Sequence, residues 1–268
     1  MTDDVDFVAN FHNDERTPAR SRRAVTILIE AADTLLRSGD ELGWAPGRHT
    51  TVFPLYGWWR LVHRSAQALF LLTDNGYTVE SAALTRGIIE HAYAMAWLVD
   101  NGDAATHAVV DHGNKKFGKQ VATFVETSWP GADELARKFA ENLASTTREP
   151  SDRALYDKCL HEAGNFRDLM ERHGMLNVYP VYQLLSSLSH PGSATASAYL
   201  RRGDDDGIQV RATAGTSDLE VVVQVALAVV VANEAISPRL RGDPMRPALD
   251  SAKTELGLEG VDFRPRRL

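Results

Sequence analysis

Cysteine is nearly absent from this chain. Cys159 is the only one in 268 residues, so a disulfide framework and a cysteine-based zinc site are both excluded, as fits a reducing, cytoplasmic setting. Basic charge is short as well. Lysine and arginine number 29 against 36 aspartates and glutamates, a net charge of −7. That balance argues against a protein that coats nucleic acid through its overall field, although it leaves room for a local basic groove. Long apolar runs are missing too. The most apolar stretch, Val221 to Ala232, covers twelve residues, whereas a membrane span needs roughly 20, so it reads as a buried core helix. Gln224 inside it is then a polar group that needs a partner. The opening MTDDVDFVAN is acidic and has no apolar core of a signal peptide, so no secretory signal is expected. No glycine-rich phosphate loop, no G-x-S-x-G and no H-x-x-x-H occurs. His107 and His112 stand five apart, the wrong spacing for a two-histidine metal face. No cofactor and no metal are expected, and a nucleotide-driven enzyme or an α/β hydrolase is disfavoured.

What is present is helical periodicity. Apolar residues make up 44% and charged residues 24%, ordinary proportions for a folded globule. Residues 1–16 are polar and expected to be flexible. Thr17-Pro18 reads as a cap followed by proline at the first helical position, with Gly39 as the stop. A second helix is expected over about 52–73, ended by the Asp74-Asn75-Gly76 turn. The third, about 78–99, is apolar on nearly every side and carries small residues (Ala82, Ala83, Gly87, Ala92, Ala94, Ala96), which places it in the middle of a bundle. Asn101-Gly102 stops it, and 103–127 continues as a more amphipathic helix. Trp129-Pro130-Gly131 breaks the chain before a helix at 132–144. Ser151-Asp152 caps another that runs to about His173. Pro180 opens a short helix that Pro191-Gly192 ends. Residues 198–213 form the one hairpin candidate, with Asp206-Gly207 at the turn. Ser217 and Glu220 make a capping box before the valine-rich helix. The fold class is therefore all-α: a single-domain helical bundle over 17–238, of about seven to eight helices with one short β-hairpin. A loosely ordered tail is expected over 239–268, with one short helix near 247–256.

Few residues are placed to carry chemistry. Arg86 and Glu90 stand four apart on the apolar third helix and share a face. Either they form a buried ion pair that fixes helix register, or they line a polar pocket in which the arginine fork binds phosphate or carboxylate. His190 ends the sequence Ser186-Ser187-Leu188-Ser189-His190, where the following proline forces a stop. A ring at a helix C-terminus is favoured in its protonated form. Ser187 and Ser189 either serve that site or bond locally to their own backbone. Arg86 and His91 also match R-x4-H, and Arg167 with His173 supplies a second such match, R-x5-H; at least one of the two must be accidental.

The stretch from Ala82 through Arg86 to Glu90 and the later stretch from Tyr182 through Ser186 to His190-Pro191 together resemble uncharacterised bacterial all-helical families that lie near the HEPN-like proteins. The resemblance spans about 50–235. It implies an all-α bundle in which Arg86, Glu90 and His190 converge. The active HEPN-like relatives cut RNA without metal, often as dimers, with arginine and histidine at the interface. In them a polar residue usually follows the arginine, where this chain has Gly87. What the resemblance implies is a metal-independent ribonuclease or a defence or toxin effector, with His91, Ser187 and Ser189 as secondary site residues. RNA or a small anionic ligand would be the partner, no membrane would be involved, and a homodimer fits the pattern. The competing expectation is a non-catalytic binding or interaction module.

Overall fold

In the computed structural model, residues 17–37, 43–44, 51–146, 150–172, 178–202, 207–214 and 221–261 are described. Among them are ten α-helices and a single two-stranded hairpin. The helices are α1 (Thr17–Arg37), α2 (Val52–Asp74), α3 (Ala82–Glu126), α4 (Ala132–Thr146), α5 (Arg153–Glu162), α6 (Phe166–Arg172), α7 (Tyr179–Ser189), α8 (Ser193–Ser197), α9 (Val221–Ile236) and α10 (Arg246–Leu256). The hairpin pairs β1 (Leu200–Arg202) with β2 (Ile208–Val210), Arg201 opposite Gln209. The all-α expectation holds.

Helix α3 is the axis of the molecule. It packs against α9, α2, α5, α7 and α4, and its first half is lined by Ile88, Ile89, Ala92, Met95, Ala96, Trp97 and Leu98, all buried. Small residues at 92 and 96 let the neighbouring helices approach, and the large ones fill the remaining space. Gly102 breaks α3 with φ 58° and ψ −131°, a conformation that only glycine adopts without strain. The helix therefore changes direction where Asn101-Gly102 was expected to stop it, while hydrogen bonding resumes at once beyond.

The valine-rich segment is longer than its twelve most apolar residues suggest. Helix α9 and the 3₁₀ turn that follows make 19 continuous helical residues, Val221–Arg239, long and apolar enough by composition to cross a membrane. Its most apolar window is 72% buried inside the bundle, against α1, α2 and α3. Gln224 is only half-buried, so it reaches the edge of the core rather than its centre. The polar residue at the centre is Asn233, fully buried.

Two expectations need correction. The helix begun at Asp152 does not run to 173. It ends at Glu162, and Gly164-Asn165 turn the chain into α6. Asp152 does cap it, its carboxylate accepting from the Leu155 N–H at 3.0 Å. The chain beyond 238 is not a loose tail as far as Val261: α10 lies along α1, and Met245, Leu249, Ala252 and Leu256 are fully buried. Their i, i+4, i+7 spacing gives α10 an apolar stripe, which the proline- and arginine-rich composition around it obscures. The proposed stop at Gly39, the turn residue Asp206, the Ser217/Glu220 capping box, His173 and residues 1–16 lie outside the described residues.

Candidate functional site

Helix α7 decides the geometry. Pro180 in its first turn needs no N–H partner there, and Leu185 plugs it into the core with Val181 and Leu188 beside it. The helix ends at Ser189, and His190 follows in extended conformation, φ −123° and ψ 152°, as the residue before a proline must. Thr195 of α8 folds back over this end. Its hydroxyl donates to the His190 carbonyl at 2.6 Å and to the Ser187 carbonyl at 3.2 Å, which satisfies carbonyls the helix leaves open. Tyr199 donates to Glu80 and ties the same segment to the start of α3. The Glu80 carboxylate accepting that bond raises the Tyr199 phenol above its usual range. His190 is thus held in place by its own backbone while its ring stays exposed.

Arg86 reaches this ring from α3. Its Nη1 lies 3.1 Å from His190 Nε2, and its Nη2 donates to the Tyr182 hydroxyl at 3.0 Å. The guanidinium also sits 5.1 Å from the centre of the Tyr182 ring, within cation–π range. Arginine has donors only, so the contact fixes His190 Nε2 as the acceptor and places the ring proton on Nδ1. Arg86 Nε is buried and has no hydrogen-bond partner among the described residues.

An open pocket of about 490 Å³ lies on this assembly, walled by Tyr179, Tyr182, Ser186, Ser187 and His190 with Gly192 at its end. Aromatic rings stiffen one side. Phe166 packs on Tyr182 at 4.5 Å between centres, Tyr179 stacks on Tyr182 at 5.9 Å, and Arg167 lies 5.8 Å over Tyr179. Arg167 is thereby committed to the aromatic wall.

Of the residues singled out from sequence, Arg86 and His190 come together across 104 positions. Glu90 does not join them. Among the described residues it forms no hydrogen bond or ion pair, with Arg86 or any other group, and it lines a second pocket further along α3. The buried Arg86–Glu90 ion pair is therefore not formed, and both residues are half-buried rather than sealed. His91 faces that second pocket too. Its Nδ1 donates to the Gly87 carbonyl at 2.7 Å and its ring meets Trp58 edge-on at 6.0 Å. Ser187 and Ser189 donate to the Leu184 and Leu185 carbonyls, each at 2.7 Å. Both hydroxyl protons are spent locally, so neither serine is poised as a nucleophile. Among the described residues no group of three or more His, Cys, Asp or Glu is placed to hold a metal ion.

Tyr182 is the site residue that sequence reasoning passed over. Its signal was its spacing: Tyr182, Ser186 and His190 follow one another at i, i+4 and i+8, one stripe of α7.

A family of unknown function, DUF5677, matches residues 52–208. The chain belongs to this family. The match runs from the start of α2 to β2 and takes in α3, α7 and both pockets. No curated protein and no solved structure matches the chain. Membership of DUF5677 thus fixes which part of the chain the family shares, and that part contains Arg86, Tyr182 and His190.

Proposed function

We propose that the α7 pocket of this DUF5677 protein binds an anionic, phosphate-bearing ligand through Arg86. The contact of Arg86 with His190 and Tyr182, both of which line the open pocket, carries this reading. A guanidinium with one nitrogen on a phenol and one on a neutral imidazole has its geometry set but its charge unneutralised, because no carboxylate pairs with it among the described residues. A phosphate oxygen is a stronger acceptor than either neutral partner and would replace them in a charge-assisted bond. Lack of a neutralising carboxylate also separates this arrangement from an ion pair that only fixes helix register.

A second reading follows from His190 alone. When phosphate takes the guanidinium, Nε2 is released as a neutral base beside the bound phosphate. With an RNA strand in the pocket, Nε2 takes the proton of a 2′-hydroxyl as that oxygen attacks phosphorus. The bond from phosphorus to the 5′-oxygen breaks, the 5′-oxygen leaves with a proton from solvent, and a 2′,3′-cyclic phosphate remains. Arg86 stabilises the charge that builds on the non-bridging oxygens. This is the metal-independent ribonuclease chemistry of the HEPN-like resemblance.

One experiment separates the two readings: binding and cleavage of a short single-stranded RNA with a chelator present, by wild type, Arg86→Ala and His190→Ala. Binding alone predicts that Arg86→Ala weakens affinity about tenfold or more, the worth of a charge-assisted contact, with no cleavage by any variant. Cleavage predicts a cyclic-phosphate product that both substitutions abolish. Equal binding by wild type and Arg86→Ala removes both readings.

A further inference from the structure

The second pocket, about 400 Å³, lies among α2, α3, α5 and α6, one helical turn along α3 from Arg86. Its walls are flat and apolar. Trp58, Trp97 and Phe166 line it, and Ala94 leaves space between them. Its polar lining includes the Glu90 carboxylate, the His91 and His112 imidazoles and the Lys116 ammonium. Glu90 is half-buried and forms no hydrogen bond or ion pair among the described residues. His91 spends its Nδ1–H on the Gly87 carbonyl, which leaves Nε2 as the ring nitrogen free to face the pocket. Lys116 is exposed at the pocket, and among the described residues it pairs with no carboxylate there.

Glu162 is held in place from behind. It is 1% exposed and accepts the Trp97 indole N–H at 2.6 Å, with Lys158 3.9 Å away. That bond fixes the plane of Trp97 as a wall. His112 also lines the pocket, and its Nε2 is buried without a partner among the described residues. Burial, with Lys116 and Lys115 beside it, lowers its tendency to take a proton. Gly164 closes the far side, where an added Cβ would lie 3.2 Å from the His112 ring.

We infer that this pocket binds a flat heterocycle carrying two adjacent N–H donors beside a carbonyl acceptor, and that guanine is the ring that fits. A carboxylate accepts the N1–H and exocyclic N–H₂ of guanine side by side, and an ammonium serves its O6 and N7, the same donor and acceptor pattern that proteins read elsewhere. The half-buried rings of Trp58 and Phe166 offer aromatic surface of the kind on which purines stack, while Trp97, 1% exposed, backs the pocket. Lys116 and the Lys158 ammonium near Glu162 make a bare organic cation the poorer occupant. The assignment rests on this pocket's own lining and not on the anion site at His190.

The test is titration of the full chain with guanosine, inosine and cytidine, read by calorimetry and by quenching of tryptophan fluorescence. Guanosine carries no phosphate, so it reports this pocket alone. Guanosine is expected to bind, and inosine, which lacks the exocyclic amine, to bind at least about tenfold more weakly. Glu90→Gln is expected to lose guanosine affinity by a similar factor at an unchanged melting temperature, and Lys116→Ala, at an exposed position, to lose less. Arg86→Ala is expected to bind guanosine as wild type does, whatever becomes of RNA binding. No guanosine binding by wild type, equal binding of guanosine and cytidine, or full affinity in both Glu90→Gln and Lys116→Ala would overturn the assignment.

Discussion

Two histidines in this bundle each meet a hydrogen-bonding partner from a distant helix, and they differ in whether water can reach them. His63 on α2 is 1% exposed. Its Nε2 lies 3.0 Å from the Asn233 amide nitrogen of α9, and the same amide accepts from the Trp59 indole at 3.0 Å and donates to the Val229 carbonyl at 2.8 Å. His190, just beyond α7, meets Arg86 across a similar distance, but its ring lines an open pocket. Burial holds the His63 ring far down, at about 3, with the Arg60 charge adding to the effect and Asp33 opposing it. One polar cluster is sealed and holds α2 to α9. The other borders an open pocket, and no carboxylate pairs with its guanidinium among the described residues; open polar geometry of that kind is where ligands bind.

Substitutions can break this contrast. The largest effect is expected at the sealed cluster. Asn233→Ala leaves the Trp59 indole and the His63 ring without partners in the core, costing roughly 2–4 kcal/mol, to be read as a lowered denaturant midpoint. A pH effect comes next. Unfolded, His63 takes a proton near its ordinary 6.5; folded, it takes one only near 3. The unfolded state therefore binds more protons between those values, and stability present above about pH 6.5 falls as the pH drops towards 3, by up to about 1.4 kcal/mol per pH unit. Unfolding curves of wild type and His63→Leu across that window check this, because the variant should lose that share of the slope. At the open cluster the expected effect on stability is smaller. Arg86→Ala removes contacts to two groups that water can serve, so its unfolding free energy should change by about 1 kcal/mol or less. A loss of roughly 3–5 kcal/mol would instead mark a buried ion pair. His190→Ala, at an exposed position, should barely move the melting temperature.

Local signals carried much of the fold. Helix starts at Thr17, Asp152 and Pro180 and the break at Gly102 follow from caps, proline and glycine, which act within a few residues of themselves. α10 was harder to see as core, because its stripe of Leu249, Ala252 and Leu256 is short and set among arginine and proline. Arg86 and His190 could be singled out for a physical reason: Arg86 is a charge on an otherwise apolar helix, and His190 is fixed by the proline that follows it. Sharing a helical face did not bring Glu90 to Arg86. A turn of α3 carries the two side chains into different gaps, one towards α7 and the other towards α2 and α5. Asn233 and His63 are 170 positions apart, and no local pattern ties such residues together.

The central claim is that Arg86 and His190 form an open anion site. The most direct measurement is the nitrogen chemical shift of the His190 ring during titration with a short single-stranded RNA in chelator. The account predicts that Nε2 shifts as the guanidinium leaves it for phosphate, in wild type but not in Arg86→Ala. A His190 ring that does not respond to RNA in wild type, or responds equally in both proteins, would contradict it.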